Sequence, residues 1–169
     1  MTDGVQIRSA CKADADAISR ILCEAFAEFA NDYTPEAFRV VRPPPDEIRS
    51  RFDEGPIWLA LNGAKPVGTV SVVPEEEWLY IRSMGVSPDA QGLGIGRSLL
   101  YAVESYAIEN GFNKLFLYTT HFSSSAIRLY EKHGFIRGRD TAAEEWCGTA
   151  GLAMEKSIGR QRKINVTGS

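Results

Sequence analysis

Two histidines and three cysteines are all that 169 residues hold of the common transition-metal ligands. Cys11, Cys23 and Cys147 are odd in number, lack CxxC spacing and have no neighbouring histidine. That argues against a disulfide framework and a zinc site, so reduced thiols and no metal are expected. Equally missing is any apolar run near the ~20 residues that cross a bilayer, and no basic-then-apolar segment opens the chain. The expectation is a cytoplasmic protein with no membrane partner. Positive charge is in short supply too: 19 Lys and Arg against 22 Asp and Glu leave a net charge of −3. No nucleic acid is expected as partner, and neutral or cationic small molecules are mildly favoured. There are no internal repeats, no low-complexity tract and no composition break. One domain over 1–158 is expected, followed by a flexible tail over 159–169.

What the chain does have is regularly spaced apolar residues. Val5-Gln6-Ile7-Arg8 alternates, as a half-buried strand does. Asp14 is placed to cap a helix whose Ile18, Ile21, Leu22, Ala25, Phe26 and Phe29 recur at three-and-four spacing. Residues 31–41 read as a partly extended connection. Phe29, Tyr33 and Phe38 around it are either plain loop residues or one wall of a substrate pocket. Pro43-Pro44-Pro45 cannot continue a helix, and Asp46 is placed to cap a short one to Phe52. Three strand-like runs follow, 57–61, 67–73 and 78–86, joined by Asn62-Gly63 and by Glu75-Glu76-Glu77, so antiparallel neighbours are expected. A helix to Asn110, ended by Gly111, and then a strand over 115–119 imply a β-helix-β unit with parallel strands. A serine among 123–125 caps a short helix to His133. Strands from Ile136 and over 152–158 close the chain as a hairpin.

Between the strand at 79–86 and the helix carrying Leu99, Leu100, Val103, Tyr106 and Ala107 lies Gln91-Gly92-Leu93-Gly94-Ile95-Gly96. Glycines there let bound atoms approach the main chain, and N–H groups at a helix start attract an anion. The loop reads as a phosphate or pyrophosphate cradle, with an ordinary glycine turn as the plain alternative. Two familiar cradles fail on spacing. A P-loop register puts Gln91 at the first glycine and Arg97 at the lysine, and GxGxxG begun at Gly92 meets Arg97 where glycine belongs. What remains is Gln-x-x-Gly-x-Gly after a strand ending in valine and before a helix. It resembles the acetyl-CoA motif of the GNAT superfamily of N-acetyltransferases. Downstream, Ala126-Ile127-Arg128-Leu129-Tyr130-Glu131-Lys132-His133-Gly134-Phe135 resembles that superfamily's A-x-x-L-Y-x-x-x-G-F stretch, and the element order over 5–158 is similar to its fold.

The resemblance implies an α/β (mixed α+β) fold, with a central mixed, mostly antiparallel sheet of about six or seven strands and about four flanking helices. It implies acetyl-CoA as cosubstrate and no metal. Gln91, Gly92, Leu93, Gly94, Ile95, Gly96, Arg97 and Ser98 would hold the pyrophosphate. Met84, Gly85 and Val86 would pair with the pantetheine arm, helped by a bulge at Gly85. Tyr130 would protonate the leaving thiolate, where otherwise it would only pack on Ala126. Ser123 stands where the family often has asparagine. Tyr80 and Tyr118 stand where a catalytic carboxylate often lies, which leaves His121, Glu76, Glu77 or an ordered water as base. The implied reaction is acetyl transfer to a primary amine of a small molecule, a protein N-terminus or a lysine. The alternatives are a non-catalytic CoA-binding or sensing domain of the same fold, and an enzyme using a longer acyl-CoA. A homodimer through sheet edges or the C-terminal hairpin is the implied assembly.

Overall fold

The computed structural model describes residues 4–159, so all of the expected tail but Gly159 lies outside the described residues. Seven strands are formed: β1 (Val5–Ser9), β2 (Ile57–Asn62), β3 (Lys65–Glu75), β4 (Trp78–Val86), β5 (Lys114–Thr119), β6 (Ile136–Thr141) and β7 (Gly151–Ser157). The α-helices are α1 (Ala15–Phe26), α2 (Pro35–Val40), α3 (Pro45–Arg51), α4 (Ile95–Glu109) and α5 (Ser124–Lys132). The strands make one sheet in the order β1-β2-β3-β4-β5-β7-β6. Only β4 and β5 run parallel, with α4 as their crossover; every other neighbouring pair is antiparallel. The expected mixed sheet is therefore present. Among the described residues no helix is long and apolar enough to cross a membrane.

Alternation along the strands gives the sheet two apolar faces. Trp58 and Ala60 of β2 face one side and Ile57 and Leu59 the other. On the first side Leu99, Leu100 and Val103 of α4 pack on Val70, Val72, Leu79, Ile81, Leu115 and Leu117. On the second, Ile18, Ile21 and Leu22 of α1 and Ile48 of α3 pack on Ile57 and Leu59. Burying each such side chain contributes about 1.5–3 kcal/mol, which fixes both helical layers against the sheet.

The segment expected to be an extended connection over 31–41 instead contains α2. Thr34 accepts the Ala37 N–H at 3.2 Å, and Pro35 takes the first helical position, where no N–H is needed. The same threonine donates its hydroxyl to Cys147 O at 2.5 Å and its N–H to Thr149 Oγ1 at 3.2 Å, fastening α2 to the loop before β7. The expected caps differ as well. Asp14 precedes α1, but its carboxylate turns back to the Cys11 N–H (2.9 Å) and to both Nη atoms of Arg8 (2.8 and 2.9 Å). Pro44, not Asp46, is the cap residue of α3, and Asp46 lies in its first turn. Ser123 caps α5 by position alone, because its hydroxyl is engaged 2.7 Å from Thr120 Oγ1.

The β-bulge expected at Gly85 lies elsewhere. Ser71 faces Ser83 and Val72 faces Ile81, so Arg82 is the extra residue of β4. One extra residue reverses the side-chain alternation. Upstream, Leu79 and Ile81 face α4; downstream, Met84 and Val86 pack toward that same core, leaving Ser83 and Gly85 toward α1 and α3. Gly85 is required for packing: a Cβ there would meet Ala25 Cβ at 3.0 Å and Leu22 Cδ2 at 3.1 Å.

Candidate active site

β4 and β5 are paired only from Trp78–Lys114 to Ile81–Leu117. Beyond that, β5 stays with β7 and β4 continues on β3 alone, so the two parallel strands part in a cleft. The Ser87 N–H bonds Val67 O at 2.8 Å. By the alternation of an antiparallel ladder, Gly85 and Ser83 then bond β3, while Met84 and Val86 turn their N–H and C=O groups to the unpaired side.

The glycine loop lies at the mouth of this cleft. Gly92 (φ 83°) and Gly94 (φ 74°) adopt left-handed backbone, which other residues enter at a cost. Gly96 is needed for a different reason, because a Cβ on it would lie 2.7 Å from Leu129 Cδ2. The first bond of α4 runs from the Ser98 N–H to Gly94 O at 3.1 Å. Among the described residues, the main-chain N–H groups of 92–97 have no acceptor. A row of unbonded donors at the positive end of a helix of 15 residues suits a phosphate or pyrophosphate.

A cavity of ≈ 630 Å³ fills the cleft and opens against the loop. Met84, Gly85, Val86, Gln91, Gly92, Gly94, Ile95, Gly96, Arg97, Ser123 and Tyr130 all line it, which brings most of the residues singled out from the sequence together. Leu93 and Ser98 do not. Leu93 is 53% exposed, and Ser98 spends its hydroxyl on Gly94 O at 3.1 Å. Phe29 and Tyr33 form part of the wall, whereas Phe38 stacks behind Tyr33 with centroids 6.2 Å apart.

Tyr130 is 7% exposed, with its ring 5.7 Å from that of Phe135. Burial holds its phenol well above the usual range, and Tyr33 adds to the effect, so the hydroxyl is neutral and carries a proton to donate at physiological pH. Tyr33 is raised by burial too, opposed by the Thr120 and Ser123 hydroxyls. Tyr33, Thr120, Ser123 and Tyr130 thus place four hydroxyls on one stretch of the wall.

The bases expected from the sequence do not reach the cavity. His121 is exposed and bonds Asp140 Oδ1 at 2.8 Å. Glu76 and Glu77 lie in the β3–β4 turn, roughly 20 Å along β4 from Met84, and Glu77 accepts from Asn113 Nδ2 at 3.1 Å. Glu28 is the single carboxylate among the lining residues, and three further side chains of the wall, Arg51, Arg82 and Trp146, did not stand out in the sequence. The one signal for them is Arg82 itself, a charge inside an otherwise strand-like run.

Residues 18–135 match the model of the acetyltransferase (GNAT) family. A mycothiol acetyltransferase of Amycolatopsis mediterranei is 32% identical over 149 residues, covering 81% of this chain and 48% of that protein. The chain thus spans about half the length of such curated relatives. Among solved structures, the PaiA N-acetyltransferase of Thermoplasma acidophilum in complex with coenzyme A superposes with a TM-score of 0.78 at 18% identity, over 92% of this chain and 99% of that one. The ribosomal-protein-S18-alanine N-acetyltransferase of Escherichia coli does so with 0.76 at 18% identity, over 95% and 97%. The structures speak for the fold, and the family model and the curated relative together establish that this chain belongs to the GNAT family of acetyltransferases.

Proposed function

We propose that the chain binds acetyl-CoA and transfers its acetyl group to a primary amine, with Tyr130 as general acid. The observation that carries this reading is the meeting of three features around one cavity: the unbonded N–H groups of 92–97, the unpaired edge at Met84 and Val86, and the buried Tyr130 hydroxyl. Acetyl-CoA supplies an activated thioester on a long amide-bearing arm that ends in an anionic pyrophosphate. The loop donors match the pyrophosphate, and the open edge of β4 matches the arm as it would match an added strand.

The remaining steps belong to the chain's own groups. A main-chain N–H at Met84 or Val86 faces the carbonyl oxygen on which negative charge develops. Tyr130, kept neutral by burial, gives its proton to the departing sulfur and regains one from solvent. Glu28, at the cavity rim, takes the proton that the attacking amine gives up, through water. Ser123 offers a hydroxyl where a longer amide side chain would reach further, so its contact with the arm is short or water-bridged.

The test is calorimetric titration with acetyl-CoA, together with thiol release over a panel of amines. Binding with release from some amine, and loss of release in Tyr130→Phe with binding retained, is the expected result. No binding would overturn the reading. Binding without release from any amine would favour a CoA-binding domain without turnover.

A further inference from the structure

Two arginines in the cavity wall are used neither by the cradle nor by the transfer step. Arg82, the extra residue of the β4 bulge, reaches the turn after α3, where its Nη1 donates to Glu54. Its Nε and Nη2 are buried and have no acceptor among the described residues. Those two N–H groups share one edge of the guanidinium and point the same way, the arrangement that grips a carboxylate through two parallel bonds. Arg51 is 7% exposed and lines the same cavity. Its Nη1 donates to Ser83 Oγ at 3.0 Å, while Nη2 reaches Glu47 Oε1 only at 3.4 Å.

The two carboxylates of this corner, Glu47 and Glu54, lie at its exposed margin and not within the cavity lining. Burial, and then the facing charge of Arg82, push the Arg51 guanidinium below its usual range. The Tyr80 phenol is raised by burial and by Tyr118, against the pull of both arginines, which places Tyr80 in the same corner. Glu47 and Glu54 are half-exposed and so screened by water. Across the whole lining, Arg51, Arg82 and Arg97 stand against Glu28 alone. Beside the arginines, Tyr80 stacks on Phe116 at 5.0 Å and meets Tyr118 at 5.8 Å, a surface for an apolar body.

Resting on the transferase reading, we propose that the acceptor is a small primary amine that also carries a carboxylate. The Nε–Nη2 edge of Arg82 holds the carboxylate with Arg51 beside it, and the amine lies along β4 toward Met84. Two residues of strand span ~7 Å, a distance that a small amino acid bridges with a hydrogen bond from its carboxylate at one end and the close approach of its amine at the other. A lysine or N-terminus within a protein chain has no carboxylate at that reach and falls outside the class.

The experiment compares phenylalanine, leucine and alanine with their amides as acceptors for the whole protein with acetyl-CoA. The expected result is a kcat/KM about 100-fold higher for the acids, because a neutral amide offers one acceptor oxygen to the two buried donors and sets its own N–H against the other. Arg82→Gln should collapse that ratio to within about threefold, and Arg82→Lys, which keeps the charge but loses the fork, should lose most of it. Retained CoA affinity in each variant shows that the fold is intact. Calorimetry with N-acetylphenylalanine and its amide, with and without CoA, reads the same site without turnover. Acid-selective binding that disappears in Arg82→Gln supports the proposal even if no amine is acetylated. Equal handling of acid and amide in both assays overturns it, and leaves the transferase reading standing if CoA still binds and some amine is acetylated.

Discussion

A Cβ on Gly96 would lie 2.7 Å from Cδ2 of Leu129, so the first turn of α4 meets the helix carrying Tyr130 at a separation that only glycine permits. Its backbone is ordinary helix, so the restriction is contact alone. Gly96→Ala displaces the end of one flexible leucine and should weaken acetyl-CoA binding by less than about threefold. Gly96→Val adds two more atoms and should weaken it about tenfold. Leu129→Ala opens the contact, so the double variant should regain most of the loss; calorimetric dissociation constants for the four proteins complete the cycle.

Tyr130→Phe removes the proposed donor and leaves the ring in place. Its kcat should fall about 100-fold or more while acetyl-CoA affinity changes less than about threefold. The wild-type pH profile carries a sign as well. Because burial raises the phenol, the active, protonated form persists to higher pH than for a free tyrosine. No alkaline loss of kcat should therefore arise from this group below pH ~10, which stopped-flow rates at alkaline pH would check.

Asp14 is held well below the usual carboxylate range, first by its bonds to Arg8 and then by the Cys11 N–H, with burial opposing. A carboxyl lowered on folding stabilises the protein above its unfolded value of ~3.9, and that stability is lost as pH falls through the folded value. Asp14→Asn should cost about 1 kcal/mol near neutrality, a modest figure because Arg8 is 39% exposed. In urea titrations the gap between wild type and variant should hold from pH 5 to 8 and narrow below pH ~4.

Gly85 tests how tightly α1 sits on β4. A methyl there meets Ala25 Cβ at 3.0 Å and Leu22 Cδ2 at 3.1 Å, neighbours held by their own helix. Gly85→Ala should cost about 1–2 kcal/mol and lower Tm by about 3–6 °C in a thermal melt.

Much of this architecture was legible because it follows from local rules. The spacing of Leu99, Leu100, Val103 and Ala107 determines which face of α4 is buried, and all four are buried. Gly92, Gly94 and Gly96 were readable as a loop at a helix start because strand, glycines and helix come in unbroken order. The α2 helix was legible too, in Thr34-Pro35, but the irregular residues around it concealed the signal. What could not be read is which of several available partners a side chain takes. Asp14 serves Arg8, Ser123 serves Thr120, and Gly85 serves α1, each drawn from its local role by a contact made only in the folded chain. Arg82 was hidden for the same reason, since a bulge is a mismatch between two strands and neither strand carries it alone.

That mismatch gives β4 something like a reading frame. Upstream of Arg82 its odd-numbered residues belong to the α4 core, and downstream its even-numbered residues do. Deleting that one residue would leave a plain ladder, with Ile81, Met84 and Val86 still toward α4 and Ser83 and Gly85 still toward α1. The open backbone edge and the fit of α1 on Gly85 would keep their facing, and the arginine corner alone would be lost. Arg82 is thus an insertion that the ladder carries without needing it, a position where the cavity can be retuned while the strand on either side keeps its facing.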